Sequence, residues 1–268
     1  MSSIDLVEYG QLAALRIRAD DGAQAIVTLY GAHLVSWVTA DGKERLFCSE
    51  RSAMDGSRAI RGGVPVIFPQ FAERGDGMRH GFARISTWRQ GANAGRAGDG
   101  GAHASFILDP SDLAPPLKQA WPHAFALELQ VEVHGQELKL ALDVRNRGSA
   151  PLQFAAALHS YLAVDDLANV AIDGVQRETL ALEDKLDRIF NGVRGAITLR
   201  DGHTALTLEQ AGFPDAVVWN PGAADAAAMV DMEDAEYRQF VCIEPAMVDP
   251  VPLAAGAVWR GTHRISAA

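Results

Sequence analysis

Period-two alternation of apolar and polar residues is the pattern that most constrains the fold of this chain. It is clearest in ELKLALDVRNRG, where every second residue from Leu138 to Val144 is apolar. This spacing is typical of a β-strand with one face in water. The preceding run FALELQVEV has the same pattern, so the two runs predict an antiparallel hairpin with its turn at residues 134–136.

Further short runs of strand type recur along most of the chain. They are separated by Gly, Asp and Asn turns, and no regular alternation of strands with helices accompanies them. The pattern therefore predicts an all-β antiparallel sandwich. The glycine-rich run at 91–102 is interpreted as a flexible surface turn and SDLAPPLKQAWPHAF as a proline-interrupted connection. Because the composition shows no break and no repeat, we expect one domain spanning residues 1–268.

Composition and charge exclude several classes of function. The net charge of −10 argues against binding to nucleic acid or to an anionic membrane. No apolar run approaches the roughly 18 to 20 residues of a membrane helix, and the first residues lack the basic start of an export signal. Cys48 and Cys242 are too few for a disulfide framework. We expect a cytoplasmic monomer whose partner is a small molecule.

One basic segment departs from the acidic balance. Residues 58–89 contain six arginines, no lysine and two acids, which gives a local charge of +4 against −14 for the remaining residues. A solvated basic face is the simpler interpretation. The alternative is an anion site, because guanidinium groups bind phosphate through paired hydrogen bonds.

Compact catalytic motifs are missing from the sequence. The eight histidines show no HxH or HExxH spacing and the cysteines no CxxC, so we predict no metal and no other cofactor. A serine-hydrolase G-x-S-x-G elbow and a phosphate-binding G-x-x-x-x-G-K-[ST] loop are also missing. Isolated polar residues on strands remain as candidates.

Glu244 is one such candidate. In QFVCIEP the strand period places it on the face opposite Val241 and Ile243, together with Phe240 and Cys242. A carboxyl group on an apolar face has a raised pKa. That property suits a general acid or base near neutral pH.

Two histidines are the other candidates. His159 in FAAALHSYLAV shares a strand face with Tyr161, and in HGFARISTW the same period places His80, Phe82 and Arg84 on one face. A single histidine in a strand is more often a hydrogen-bonded structural residue than a catalyst. A histidine meeting a glutamate would suit proton transfer, but the spacing alone does not bring them together.

Several segments, taken in order, resemble the aldose 1-epimerase superfamily. They are IRGGVPVIFPQF, HGFAR with a following tryptophan, LHSYLAV, LDRIF, VVWNP and IEPAMVDPVPLAAGAVWRG. Together they span roughly residues 20–265. The chain is most similar to the glucose-6-phosphate 1-epimerase (hexose-6-phosphate mutarotase) branch.

The resemblance implies a galactose-mutarotase-like antiparallel β-sandwich, or supersandwich, with a cofactor-free site on one sheet. It implies that Glu244 is the general base and His159 the general acid. Arg61, Arg84 and Asp187 would bind the substrate. The implied reaction opens the sugar ring at C1–O5, allows rotation about C1–C2 and closes the ring as the other anomer.

Arg79 and His80, the first residues of RHG, are also assigned to the substrate site. The family often has glutamine at the position of Arg79 and an aromatic residue at the position of Gly222. The sequence thus predicts a hexose-6-phosphate 1-epimerase, an isomerase acting on glucose 6-phosphate. Two alternatives stay open: a 1-epimerase of unphosphorylated aldoses, and a non-catalytic module that binds a sugar phosphate.

Overall fold

Strands dominate the fold. The computed structural model describes residues 1–202 and 204–268, and within them the chain forms nineteen β-strands and two short α-helices. The strands are β1 (Ser3–Tyr9), β2 (Leu12–Arg18), β3 (Gln24–Thr28), β4 (His33–Val38), β5 (Val66–Ile67), β6 (Arg89–Arg96), β7 (Ala102–Leu108), β8 (Phe125–His134), β9 (Glu137–Asn146), β10 (Leu152–Leu158), β11 (Tyr161–Ala163), β12 (Val170–Asp173), β13 (Leu180–Ala181), β14 (Leu186–Phe190), β15 (Ile197–Asp201), β16 (Thr204–Ala211), β17 (Asp215–Asn220), β18 (Phe240–Leu253) and β19 (Val258–Ala267). The helices are α1 (Pro115–Ala120) and α2 (Gly222–Ala228), and single 3₁₀ turns cover Ala83–Ile85, Leu167–Asn169 and Glu236–Gln239.

The strands form three sheets in which every pair of named strands is antiparallel. One sheet has the order β1-β2-β3-β4 and a second has the order β13-β12-β15-β16-β19-β9-β8-β7-β6. The third, the six-stranded sheet, has the order β14-β17-β18-β10-β5, with β11 also paired to β18. The all-β antiparallel prediction is confirmed.

The predicted hairpin forms as the alternation requires. Strands β8 and β9 pair from Phe125 with Asn146 to His134 with Glu137. The alternate residues from Leu138 to Val144 are at most 2% exposed and belong to a core that contains residues of all three sheets. Burial of these apolar side chains, worth about 25 cal/mol per Å² of area removed from water, holds the layers together.

The six-stranded sheet has apolar residues on both of its faces, and this positions the site. On β18, Val241 and Ile243 point into the main core. Phe240 and Cys242 point to the opposite face, into a smaller apolar cluster with Tyr161. The parity predicted for QFVCIEP is therefore correct, and the face that carries Glu244 lies away from the main core.

The prediction that the glycine-rich run at 91–102 is a flexible surface turn is wrong for part of the run. Its first half continues the edge strand β6, which pairs with β7 through a register shift between Gln90 and Ala94. A side chain at Gly91 would lie 2.2 Å from the Ser105 hydroxyl oxygen, so the residue must be small for the strand to pack. Only the second half forms the turn.

The predicted common face of His80, Phe82 and Arg84 is also wrong. The chain there is a turn followed by the 3₁₀ turn Ala83–Ile85, and His80 has a left-handed backbone with φ of 61°. Phe82 consequently enters the main core, whereas His80 and Arg84 line a cavity on the other side. A period of two holds only for extended backbone.

The proline-interrupted connection contains helix α1, which begins at Pro115. Proline is favoured at the first position of a helix because its missing N–H would have no partner there. Within the described residues, neither α-helix reaches the length and hydrophobicity that a membrane-spanning helix needs.

Candidate active site

Strand register brings His159 and Glu244 together. Ala157 of β10 pairs with Ala246, and Tyr161 of β11 pairs with Cys242. His159 lies midway between the two pairs and is therefore opposite Glu244. Its Nε2 atom is 3.3 Å from Glu244 Oε1. Two residues 85 positions apart in sequence thus form a candidate acid–base pair.

Backbone hydrogen bonds fix the segment that carries His159. The His159 N–H donates to Pro65 O at 3.0 Å, and the Tyr161 N–H donates to Gly63 O at 2.9 Å. Gly63 has φ of 58°, and a Cβ atom there would lie 2.2 Å from Leu34 O. Glycine is therefore required where the IRGG segment passes between β4 and the site.

Aromatic rings surround the His159 imidazole. It stacks on Tyr161 with centroids 4.8 Å apart and planes at 13°, and it meets the edge of Trp219 at 5.8 Å. His80 lies 5.8 Å away in a T-shaped contact. These contacts fix the ring plane, so Nε2 stays directed at Glu244 without a hydrogen bond to Nδ1, which has no partner among the described residues.

The Glu244 carboxyl group is almost fully removed from water. It is 1% exposed, and its Oε2 atom has no hydrogen-bond partner in the described residues. Burial raises the pKa of Glu244 well above its usual value, and the negative charge of Asp187 raises it further. A raised pKa makes the ionised carboxylate a stronger proton acceptor than an exposed glutamate would be.

Burial also acts on His159, in the opposite direction. The pKa of His159 lies well below its usual value, first because of burial and then because of His80, Arg61 and Arg84. Burial thus favours the uncharged form of each partner, a protonated Glu244 carboxyl and a neutral His159 imidazole.

Arg84 is the arginine most available to an anion. It lines the cavity, and no carboxylate of the described residues lies within 4.0 Å of its side-chain nitrogens. Its Nη2 donates to Arg79 O at 3.1 Å, and its buried Nε has no partner. Burial is the main cause that lowers the pKa of Arg84, and its charge has no carboxylate counter-ion among the described residues.

Arg61 is paired instead. Its Nε and Nη2 donate to the two carboxylate oxygens of Asp231 at 3.3 Å each, and its Nη1 donates to the Tyr161 hydroxyl at 3.2 Å. The sequence suggested Arg61 as a substrate ligand, and it does line the cavity. Its guanidinium, however, already has a negatively charged partner.

Two further arginines lie at the cavity. Arg79 pairs with Glu73 at 3.0 Å, and both side chains are about two-thirds or more exposed. An exposed pair of this kind contributes about 0 to 1 kcal/mol, so Arg79 is free to turn to a ligand. Arg58 also lines the cavity and is exposed.

His80 is held as a neutral hydrogen-bond donor. The Ala72 N–H donates to His80 Nδ1 at 3.3 Å, so the ring proton must be on Nε2. Burial, followed by the charges of Arg84, Arg79 and Arg61, lowers the pKa of His80 to about 3. His80 therefore offers an N–H group to the cavity and does not compete as a base.

Asp187 and Trp219 form another part of the cavity wall. Asp187 of β14 pairs across the sheet with Trp219 of β17. Both line the cavity, and Asp187 is exposed. An acceptor carboxylate beside an indole face suits a ring that carries hydroxyl groups, since the polar edge and the apolar face of a sugar need different partners.

This chain has Gly222 where the family often has an aromatic residue, and the reason is steric. Gly222 begins α2 with φ of 66°, and a Cβ atom there would lie 2.4 Å from Asp184 Oδ1 and 2.6 Å from Lys185 N. No side chain fits at this position. Gly222 does not line the cavity.

The cavity has a volume of about 300 Å³, large enough for a hexose. A larger groove of about 490 Å³ lies on the outer face of the nine-stranded sheet. Its charged side chains are already engaged: Lys139 lies 3.0 Å from Glu132, and Arg264 donates to Glu209 at 3.1 Å. The smaller cavity alone holds the predicted residues.

Cys242 adds a third potential metal ligand beside the pair. Ligand atoms of His159, Cys242 and Glu244 all lie within 4.8 Å of one another. The Cys242 thiol is packed among aromatic rings, and burial raises its pKa well above the usual value. A metal needs the thiolate, so the residues fit a proton-transfer pair better than a preformed metal centre.

All seven predicted site residues line this one cavity: Arg61, Arg79, His80, Arg84, His159, Asp187 and Glu244. Sequence reasoning missed Asp231, the partner of Arg61, because it lies in an irregular acidic segment with no period to place it. It also missed Trp219, whose place on the site face follows from the strand period of AVVWN once its pairing with β18 is known.

The fold and the site define a β-sandwich protein with a buried histidine–glutamate pair in an arginine-rich cavity. The family model described as Aldose 1-epimerase matches residues 13–186 and 166–266. The chain belongs to the aldose 1-epimerase family.

Individual relatives agree with this family. A protein of Cenchrus ciliaris named "Putative glucose-6-phosphate 1-epimerase" is 33% identical over 269 residues, which cover 91% of this chain and 81% of the relative. The crystal structure of a "putative mutarotase" from Salmonella typhimurium has a TM-score of 0.88 and 25% identity, covering 99% of this chain and 93% of the other. A "galactose mutarotase-like protein" from Clostridium acetobutylicum has a TM-score of 0.77 at 16% identity, covering 100% and 98%. The galactose-mutarotase-like fold is confirmed.

Proposed function

We propose that the chain interconverts the α and β anomers of hexose 6-phosphates, with glucose 6-phosphate as the expected substrate. One observation carries the proposal: His159 and Glu244 lie 3.3 Å apart at the base of a cavity that four arginines line. The pair supplies proton transfer and the arginines supply an anion site. The name of the Cenchrus ciliaris relative supports the same substrate.

Glu244 acts as the base and His159 as the acid in the proposed mechanism. Glu244 takes the proton of the C1 hydroxyl, the C1–O5 bond breaks, and His159 gives a proton to O5. The product is the open-chain aldehyde. Rotation about C1–C2 presents the other face of the carbonyl, and the two proton transfers run in reverse as the ring closes. The reaction is balanced without a cofactor.

The other cavity residues orient the sugar. The His80 Nε2–H donates to a hydroxyl and the Asp187 carboxylate accepts from one, while Trp219 covers the apolar face of the ring. Arg84 binds the phosphate, with Arg58 and Arg79 able to reach it from the exposed rim. Binding at the phosphate end places C1 beside Glu244 and His159, so part of the binding energy orients the reacting atoms.

The pair is tested by an isosteric substitution of Glu244 and by a smaller, polar substitution of His159. We expect Glu244→Gln and His159→Asn each to slow anomer exchange of glucose 6-phosphate at least about a hundredfold, the loss of one positioned proton-transfer group. NMR exchange spectroscopy measures the rates. Matched controls are Glu209→Gln, on an exposed strand face, and His103→Asn, in the outer groove. Near-normal exchange in a folded Glu244 or His159 variant removes that residue from the mechanism.

A 1-epimerase of unphosphorylated aldoses is the second candidate. The observation that favours it is charge compensation: Arg61 is paired with Asp231 and Arg79 with Glu73, so only part of the positive charge awaits a ligand. Comparing the catalysed exchange of glucose and glucose 6-phosphate at equal concentration separates the two. Faster exchange of free glucose would favour the second candidate.

A further inference from the structure

We infer that Asp231 sets the affinity of the cavity for oxyanions by competing with the ligand phosphate for the Arg61 guanidinium. The inference rests on the proposed function, because it takes a phosphate as the ligand. Asp231 accepts from Nε and Nη2 of Arg61, which is the edge that a phosphate would use for paired hydrogen bonds. The third nitrogen, Nη1, donates to Tyr161.

The length of the contacts indicates that the pair can be opened. Both Asp231 contacts are 3.3 Å, whereas strong charge-assisted hydrogen bonds are about 2.7 to 2.9 Å. Asp231 is 14% exposed and lines the cavity, so an entering anion can reach the shared guanidinium. A dianion can therefore displace the carboxylate from Arg61 at moderate cost.

The backbone of Asp231 does not have to move for this exchange. Asp231 lies between helix α2 and the 3₁₀ turn Glu236–Gln239. Its neighbour Met232 is fully buried in the cluster that contains Tyr161. This anchor restrains the backbone at Asp231, so the carboxylate can turn away from Arg61 but stays close to it. Its negative charge then opposes every oxyanion that enters.

The repulsion between Asp231 and an entering oxyanion can be useful because of Arg84. Because Arg84 has no carboxylate partner among the described residues, it attracts any oxyanion. A sugar phosphate regains affinity through its hydroxyl contacts with His80 and Asp187, which inorganic phosphate cannot make. Asp231 therefore disfavours occupation by inorganic phosphate while the sugar phosphate still binds.

The test is the substitution Asp231→Asn, which keeps the size of the side chain and removes its charge. Asp234→Asn is the matched control, since Asp234 lies in the same segment, is exposed and does not line the cavity. Inorganic phosphate is the probe, with its dissociation constant measured by calorimetry. We expect about tenfold tighter phosphate binding in Asp231→Asn, the value of one relieved charge interaction, and no change in the control.

Unchanged or weaker phosphate binding in folded Asp231→Asn overturns the inference, because it would mean that Asp231 only holds Arg61 in place. If that variant does not fold, Asp231→Ser is measured against the same expectation. Anomer exchange keeps the two hypotheses apart. Tighter phosphate binding without turnover of either sugar refutes the proposed function alone, and turnover of glucose 6-phosphate with unchanged phosphate affinity refutes the inference alone.

Discussion

Arg84→Ala is the substitution that separates a phosphorylated substrate from a neutral one most sharply. The residue is in the 3₁₀ turn Ala83–Ile85, and alanine keeps that backbone. Its side chain makes one hydrogen bond in the described structure, from Nη2 to Arg79 O, so its removal costs little elsewhere. The Glu244–His159 pair is left in place.

The size of the effect follows from the missing counter-ion. Since no carboxylate of the described chain is within 4.0 Å of Arg84, the phosphate replaces only water at this guanidinium. A hydrogen bond to a charged group is worth about 1.5 to 3 kcal/mol, which corresponds to a loss of about 10- to 150-fold in kcat/KM for glucose 6-phosphate. Free glucose has no phosphate to lose, so we expect its turnover to change less than about twofold.

The assay is anomer exchange by NMR with both sugars in one buffer and at one salt concentration, because charge interactions are screened by salt. Arg74→Ala is the matched control: it removes the same charge from the same basic segment, is paired with Asp249 and does not line this cavity. Equal losses on the two sugars would refute the reasoning. They would mean that Arg84 supports the fold or the hydroxyl contacts, and would favour unphosphorylated aldoses.

Two further outcomes concern metal and pH. Activity should survive dialysis against a strong chelator, because the proposed proton transfers need no ion; activity lost on chelation and restored by a divalent cation contradicts this. The stability of Glu244→Gln relative to wild type should grow as pH rises above about 4.5, by about 1.4 kcal/mol per unit of raised pKa. The folded wild type holds a proton that the unfolded chain releases there, so its stability falls as pH rises through the folded pKa. Urea unfolding between about pH 4 and pH 8 measures it, and a constant difference contradicts it.

Sequence reasoning succeeded where the backbone is extended. On β18 and β9 the period of two assigns each residue to a face without knowledge of the partner strand, and the structure confirms both assignments. It failed at Phe82, which enters the core because residues 80–85 form a turn and a 3₁₀ turn. The place of Asp231 in the site could not be predicted for a related reason. Its contact with Arg61 joins two irregular segments 170 residues apart.

The contact between His159 and Glu244 could be predicted only in part. Each residue's strand face could be predicted, but the pairing of β11 and β10 with the same strand β18 could not be derived from spacing. The family resemblance supplied what the spacing lacked. The hydrophobic period of a strand specifies which of its faces is buried, but it does not say which distant strand is the partner.

If the arginines hold the phosphate, the charge of the substrate affects the protonation of O5 by His159. Arg61 and Arg84 lower the pKa of His159, after burial and His80. A bound dianion offsets those positive charges, raises the His159 pKa and favours the imidazolium that must protonate O5. A neutral sugar brings no such charge. The phosphate would then contribute to proton transfer as well as to affinity, so the loss in Arg84→Ala should appear in kcat as well as in KM.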